Sequence, residues 1–192
     1  MTLLHNINRA LQRRRNSTWH AMGYDTSVRL TTAADADAVA LLTQTVFHNN
    51  TNVNVINSLR QACSNCISLV AEQHGKIVGH ILFAPATLEQ SGNTQLMALA
   101  TMAVSNVLQH HGIGSALVRA GLELCRQQSI TAVVVLGPAS YYSRFGFVPA
   151  VNFNIHSPVQ ALGNTFMLLP LAEAALQGKG GKVLYLDAFT AL

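Results

Sequence analysis

The chain has 192 residues, 49% of them hydrophobic and 10% charged, with a formal net charge of +4. That length suits one domain with an appendage, and the composition excludes a disordered chain. No apolar run reaches the roughly 18 residues that a membrane span requires, so no membrane association is expected.

The positive charge is local. Residues 1–25 hold Arg9, Arg13, Arg14, Arg15 and one acid, Asp25, a net +3, while the remainder holds eight basic and seven acidic residues. Residues 1–25 therefore read as a basic N-terminal extension, and 26–192 as a single domain with an almost neutral surface. Such a body gives no footprint for nucleic acid. Leu3, Leu4, Ile7 and Leu11 have the spacing of a short helix face, and the extension lacks the apolar core of a secretory signal. Three cysteines, Cys63, Cys66 and Cys125, make no disulfide framework and point to a reducing, cytoplasmic setting. Cys63-x-x-Cys66 has no second pair and no spaced histidine pair, so no metal site is expected.

In chain order, Val28-Arg29-Leu30 reads as a strand. A helix opens at Ala33 to Asp37 with Val39, Leu42, Val46 and Phe47 on its apolar face, and a second short helix covers Val53 to Arg60. Ile67–Glu72 and Lys76–Phe83 read as strands joined by a turn at His74-Gly75. Ser91-Gly92-Asn93 reads as the turn into a central strand, Leu96–Val104, which is apolar on both faces. A helix runs from Gly112 to about Gln128, with Ile113, Leu117, Ala120 and Leu124 facing the core and Ser115, Arg119, Glu123 and Arg126 facing water. A strand at Thr131–Leu136, a short helix at Ser140–Phe145 and a strand from Phe147 to Ala150 follow. Asn152–Thr165 reads as a polar loop, Phe166–Leu169 as a core strand, and Val183–Leu186 as an edge strand. The pattern is a mixed α/β sheet with helices on both faces.

Gln109-His110-His111-Gly112-Ile113-Gly114-Ser115 stands at a strand-to-helix junction. Two glycines let a ligand approach the backbone, and the first helical turn offers unpaired N–H groups at the positive end of the dipole. This is the chemistry of an anion site, suited to a pyrophosphate. It is no Walker A loop, because no Lys-Ser or Lys-Thr follows, and no dinucleotide fingerprint, because Leu117 stands where the third glycine belongs.

Downstream lies Tyr141-Tyr142-Ser143-Arg144-Phe145-Gly146-Phe147-Val148-Pro149-Ala150, after Val133-Val134-Val135-Leu136-Gly137-Pro138. With Gln109-x-x-Gly112-x-Gly114 before it, the chain resembles the GNAT superfamily of acetyl-CoA-dependent N-acetyltransferases, in its YhbS-like bacterial branch. The resemblance covers about residues 27–192, with its sharp motifs from 96 to 150. It implies a mostly antiparallel sheet with a splayed central strand pair. It implies acetyl-CoA as co-substrate and a small-molecule or peptide amine as acceptor, and it allows a homodimer. It assigns the CoA phosphates to Gln109, His110, His111, Gly112, Ile113, Gly114 and Ser115. Backbone groups of Met102, Ala103 and Val104 would pair with pantetheine. Tyr142 holds the place of the general acid, Arg144 that of a contact to phosphate or to a local carboxylate, and Phe47 and His48 lie where an acceptor would pass.

Transfer of acetyl to an amine also needs a proton acceptor. Leu96–Val104 carries no acid, which leaves His80, Glu89 or water. The expected function is direct attack of a primary amine on acetyl-CoA. The alternative is an acyl-CoA-binding sensor or partner-docking module without turnover, which the missing acid favours and Tyr142 opposes.

Overall fold

A computed structural model describes residues 26–48, 51–63, 65–89, 91–159, 163–172 and 176–187. The basic extension at 1–25 lies outside the described residues. Helices are α1 (Ala36–Phe47), α2 (Thr51–Ala62), α3 (Ile113–Gln127) and α4 (Ala139–Tyr142). Strands are β1 (Thr26–Leu30), β2 (Ile67–Gln73), β3 (Lys76–Leu88), β4 (Ser91–Val104), β5 (Ala132–Leu136), β6 (Val148–Pro149), β7 (Ile155–His156), β8 (Phe166–Pro170) and β9 (Gly181–Tyr185). They pair in the order β1-β2-β3-β4-β5-β8-β6, with β9 joining both β3 and β7. Pairs β1–β2, β3–β9, β5–β8 and β6–β8 are antiparallel, while β4–β5 and β7–β9 are parallel. The fold is the mixed, mostly antiparallel sheet with helices that the sequence implied.

The chain divides into two compact units, and β3 and β4 run through both. The first takes the chain up to Ile56, Ile67–Leu82 and Thr101–Leu124; the second takes Asn57–Cys66, Phe83–Ala100 and the chain from Cys125.

In the first unit, β2 and β3 meet at His74-Gly75. Both residues are left-handed, with φ of 49° and 73°, the geometry a two-residue hairpin turn needs. Helix α3 buries Ile113, Leu117, Ala120 and Leu124 and turns Arg119 and Arg126 outward, as its apolar period requires. Its first turn sits on Gly79 of β3. A Cβ there would lie 3.0 Å from Ile113 Cγ2 and 3.0 Å from Leu117 Cδ1. The bare glycine lets the helix start lie close to the strand. At the other end of the unit, Arg29 ties β1 to the entry of α1. Its Nη1 and Nη2 donate to the two oxygens of Asp35 at 2.7 Å, and Nε donates to Glu72 Oε2 at 2.9 Å. Asp35 also accepts from Thr32 N and Thr32 Oγ1, a capping box. The Arg29 guanidinium holds the Asp35 carboxyl well below the usual carboxylate range, against the opposing effect of burial.

In the second unit, β5 is buried through Ala132–Val135 between β4 and β8. Three boundaries differ from the sequence reading. Ser91-Gly92-Asn93 belong to β4 rather than to a turn, because pairing extends the long β3 and β4 strands beyond the apolar stretch. The strand at Phe147–Ala150 shrinks to Val148–Pro149, and a 3₁₀ turn takes over at Ala150–Phe153. The polar segment 152–165 contains β7, which pairs with β9 rather than lying free.

Candidate active site

The loop between β4 and α3 is built from local polar contacts. Asn106–Leu108 makes a 3₁₀ turn after β4. His110 and Gly112 then take left-handed backbones, φ 63° and 86°, which reverse the chain into the helix. Gln109 Nε2 donates to Val104 O at 3.2 Å and to Asn106 Oδ1 at 3.0 Å. His111 Nδ1 donates to Gln109 O at 2.7 Å. The turn closes with Ala116 N donating to Gly112 O at 2.9 Å. The N–H groups of Gly112, Ile113, Gly114 and Ser115 therefore precede the first helical bond, at the positive end of the α3 dipole. A Cβ on Gly112 would meet nothing within 4 Å, so the space over the loop is open. The loop can hold an anion through backbone alone.

Upstream, the parallel pairing of β4 with β5 joins Leu96–Leu99 to Ala132–Val135 and stops there. Strand β4 continues through Ala100 to Val104, past the last residue paired with β5. Ala103 is buried, while Met102 and Val104 are half-buried. Extended backbone beyond the end of a ladder offers N–H and C=O groups to another strand-like partner. Thr101 stands on this stretch with its Oγ1 enclosed and without a partner.

Tyr142 ends α4 in the second unit. Its ring is buried, edge-on to Phe147 at 5.6 Å and to Tyr141 at 5.0 Å between centroids. Burial pushes the phenol pKa up, and the neighbouring Tyr141 adds to the rise. The Tyr142 hydroxyl makes no hydrogen bond among the described residues, yet it is not one of the enclosed, unpartnered polar atoms. The side chain thus keeps its proton at neutral pH. Gly137 explains the fit: a Cβ there would come within 2.5 Å of Tyr142 Cε2. Arg144, expected at a phosphate or a carboxylate, instead stacks over Tyr141 at 4.8 Å from the ring centroid. Its Nη2 reaches Ser140 O at 3.4 Å.

The two side chains considered as proton acceptors differ sharply. His80 is fully buried on β3, with Nε2 3.0 Å from Ser68 Oγ. Glu89 is exposed at the turn after β3. Phe47 is half-buried at the end of α1, and His48 is its exposed, left-handed C-cap. Cys63 and Cys66 are half-buried, and Cys125 is buried with its thiol pushed up to about 12. Among the described residues no group of three or more His, Cys, Asp or Glu side chains is arranged for a metal ion. No helix among them is long and apolar enough to cross a membrane.

Met102, Ala103, Val104, Gln109 to Ser115 and His80 lie together in the first unit. Tyr142 and Glu89 belong to the second. Sequence reasoning gave no packing role to Gly79 or Gly137. An isolated glycine inside the strand pattern Lys76–Phe83 was the signal for Gly79, since it marks a close approach of another element.

A family model described as an acetyltransferase (GNAT) domain matches residues 27–150. The uncharacterized N-acetyltransferase YhbS of Escherichia coli K12 is 28% identical over 163 residues, 84% of this chain and 97% of that protein. The uncharacterized N-acetyltransferase YjhQ of the same strain is 36% identical over 123 residues, 62% of this chain and 68% of YjhQ. The crystal structure of E. coli YhbS in complex with CoA superposes with a TM-score of 0.81 at 26% identity, covering 87% of this chain and 93% of YhbS. A Brucella melitensis GNAT family acetyltransferase in complex with acetyl-CoA superposes with a TM-score of 0.71 at 27% identity, covering 86% of this chain and 99% of the other. The chain therefore belongs to the GNAT family of acetyltransferases.

Proposed function

We propose that this protein transfers acetyl from acetyl-CoA to a primary amine by direct attack, with Tyr142 as general acid. The phosphates of CoA bind the N–H groups of the 109–115 loop, at the start of α3. Pantetheine pairs with the backbone of Met102, Ala103 and Val104, as a strand would. The neutral amine attacks the thioester carbonyl and forms the C–N bond. The tetrahedral intermediate collapses with cleavage of the C–S bond, and the phenol of Tyr142 gives its proton to the departing sulfur. The nitrogen, left with one proton too many by the attack, releases it to water, and Tyr142 regains a proton from water.

The observation that carries this reading is the state of Tyr142. Its ring is buried against Tyr141 and Phe147, and that burial pushes the phenol pKa up, so the group holds a proton it can give. The relatives crystallised with CoA and acetyl-CoA support the choice of co-substrate.

The test is release of free thiol from acetyl-CoA across a panel of primary amines: amino acids, polyamines, aminosugars and peptides with free N-termini or lysines. Amine-dependent release identifies an acetyltransferase and its acceptor class. Tight CoA binding with no release above the amine-free rate would identify a CoA-binding module instead.

A further inference from the structure

Of the three cysteines in the chain, two stand three positions apart where α2 ends. Cys63 follows Ala62, the last residue of α2, and Cys66 precedes Ile67, the first of β2. Both are free and half-buried, and Gln61, Ala62 and Asn65 around them are exposed, so a small oxidant reaches the pair from solvent. The side chains of Cys63 and Cys66 are in hydrogen-bond contact. Cys66 Sγ also donates to Leu59 O, 3.8 Å away in the last turn of α2. Leu59 is fully buried and anchors the turn on which Cys66 rests. The Cys66 hydrogen thus has two acceptors in reach, one of them the sulfur of its neighbour. Burial, and then the contact with Cys63, push the Cys66 thiol up, so Cys66 keeps its hydrogen at neutral pH.

This position differs from that of a catalytic dithiol. A C-x-x-C pair at a helix N-terminus has the positive end of the dipole beside it, which stabilises a thiolate and makes the disulfide easy to reduce. Cys63 and Cys66 follow a helix C-terminus, the negative end, where a thiolate gains nothing. Rapid exchange with the disulfides of other proteins is therefore not favoured. Closure of the pair on itself is. Its sulfurs already touch, Asn65 between them lies in a turn, and residues three apart in a turn have the Cα separation of under about 7 Å that a disulfide accepts. Cys125, the remaining cysteine, is fully buried on α3 with its thiol pushed up to about 12, and offers no competing partner.

We propose that Cys63 and Cys66 are a site of reversible oxidation, with hydrogen peroxide as oxidant and a dithiol as reductant. The inference is independent of the acetyl-transfer reading. Cys63 attacks the peroxide as its thiolate. An S–O bond forms, the O–O bond breaks, and the product is the sulfenic acid Cys63–SOH. The hydroxide released takes up the proton that Cys63 gave away and becomes water. The Cys66 sulfur then attacks the Cys63 sulfur. An S–S bond forms, the S–O bond breaks, and the Cys66 hydrogen leaves with the hydroxyl as a second water. One peroxide is reduced to two waters, and two thiols are oxidised to one disulfide. A dithiol reverses the change by thiol–disulfide exchange. Because Cys66 lies against Cys63, the second step outruns further oxidation, and the site avoids the irreversible sulfinic and sulfonic states. The link costs the fold one weak bond, from Cys66 to Leu59 O.

The site is tested on the full chain, fully reduced and then exposed to hydrogen peroxide. The expected product has lost two hydrogens by intact mass, carries a Cys63–Cys66 link in its peptide map, and returns to the starting mass with dithiothreitol. Cys125→Ser should behave like the parent. Cys66→Ser should leave a sulfenic acid on Cys63 that dimedone captures, and the parent should give about tenfold less captured product, because Cys66 closes on it first. Cys63→Ser should react with peroxide about tenfold more slowly than Cys66→Ser, because the remaining thiol holds its hydrogen. Inertness to peroxide, links between two copies of the chain, a link to Cys125, or sulfinic acid as the main product of the parent overturns the proposal. So does equal capture by dimedone in the parent and Cys66→Ser, or an equal rate in the two serine variants. The melting temperature of the oxidised chain should match or exceed that of the reduced one, since a link that fits the native backbone restrains only the unfolded chain. A lower melting temperature shows that the link forms by distorting the fold, and also overturns the proposal. No amine or CoA enters these measurements, so their outcome and that of the acetyl-transfer assay are read separately.

Discussion

Gly137 and Tyr142 are fitted to one another: the space a Cβ on Gly137 would need is already filled by the Tyr142 ring, with Cε2 at 2.5 Å. Gly137 follows β5 directly and donates its N–H to Thr165 O at 2.9 Å, so its backbone is tied to the turn that leads into β8. The strand end thus sets where the phenol lies. Gly137→Ala should force the ring aside. Overpacking of this kind costs about 1–3 kcal/mol of stability. Acetyl transfer should fall more than CoA affinity, because the displaced group acts on the departing sulfur. Melting temperature, CoA titration and turnover measured on one preparation separate these effects. Normal turnover in Gly137→Ala would show that the position of the ring is not critical.

The phosphate loop depends on two glycines in different ways. Gly112 needs its left-handed backbone, and the space beside it is open. Gly79 needs its missing side chain, because Ile113 and Leu117 rest on it. Gly112→Val should weaken CoA binding through backbone strain alone, by about tenfold or more for a cost of 1–3 kcal/mol. Gly79→Val should lower stability first, by lifting the first turn of α3, and weaken CoA as a consequence. Removing the phosphates from CoA should abolish most of the difference between the parent and Gly112→Val. Calorimetric titration with CoA and with pantetheine checks this; an equal loss for both ligands would place the phosphates elsewhere.

Asp35 makes stability depend on pH with a definite sign. Its folded pKa lies below the unfolded value of about 3.9, so the unfolded chain binds the proton more readily in that range. The stabilisation is complete above the unfolded pKa and is lost as pH falls towards the folded one. Charge-assisted bonds of this type are worth about 1.5–3 kcal/mol. Asp35→Asn should therefore be less stable than the parent at pH 7, and the gap should narrow steadily below about pH 4. Thermal unfolding at several pH values measures it. A gap of constant size from neutral to acid pH would assign the loss to shape rather than charge.

Much of this arrangement was legible in the sequence where a single segment carries its own signal. The apolar stripe Ile113, Leu117, Ala120 and Leu124 declares α3, His74-Gly75 declares a tight turn, and Tyr141–Phe147 after a β-branched strand declares the short helix that bears Tyr142. The remainder depends on register. The end of the β4–β5 pairing at Leu99 leaves no mark in a strand that is apolar along its whole length. Ser91-Gly92-Asn93 has turn composition, but a long hairpin overrides local preference. β7 lies in a polar stretch because its two residues are held by β9 rather than by a core. Ser68 and His80 are ordinary residues in separate segments, and only strand pairing brings them together.

The most direct test of acetyl transfer through a tyrosine acid is Tyr142→Phe. The substitution keeps the ring against Gly137 and Phe147 and removes only the oxygen. With acetyl-CoA and an acetylated amine, kcat should fall about 10²- to 10⁴-fold, the usual size of a general-acid effect. CoA affinity and melting temperature should stay close to those of the parent. The basic limb of the pH–rate profile should stay where it is in the parent, because burial pushes the phenol's ionisation above the range such a profile covers. A variant that turns over like the parent would contradict the assignment of Tyr142 and leave the thiolate to be protonated by another group.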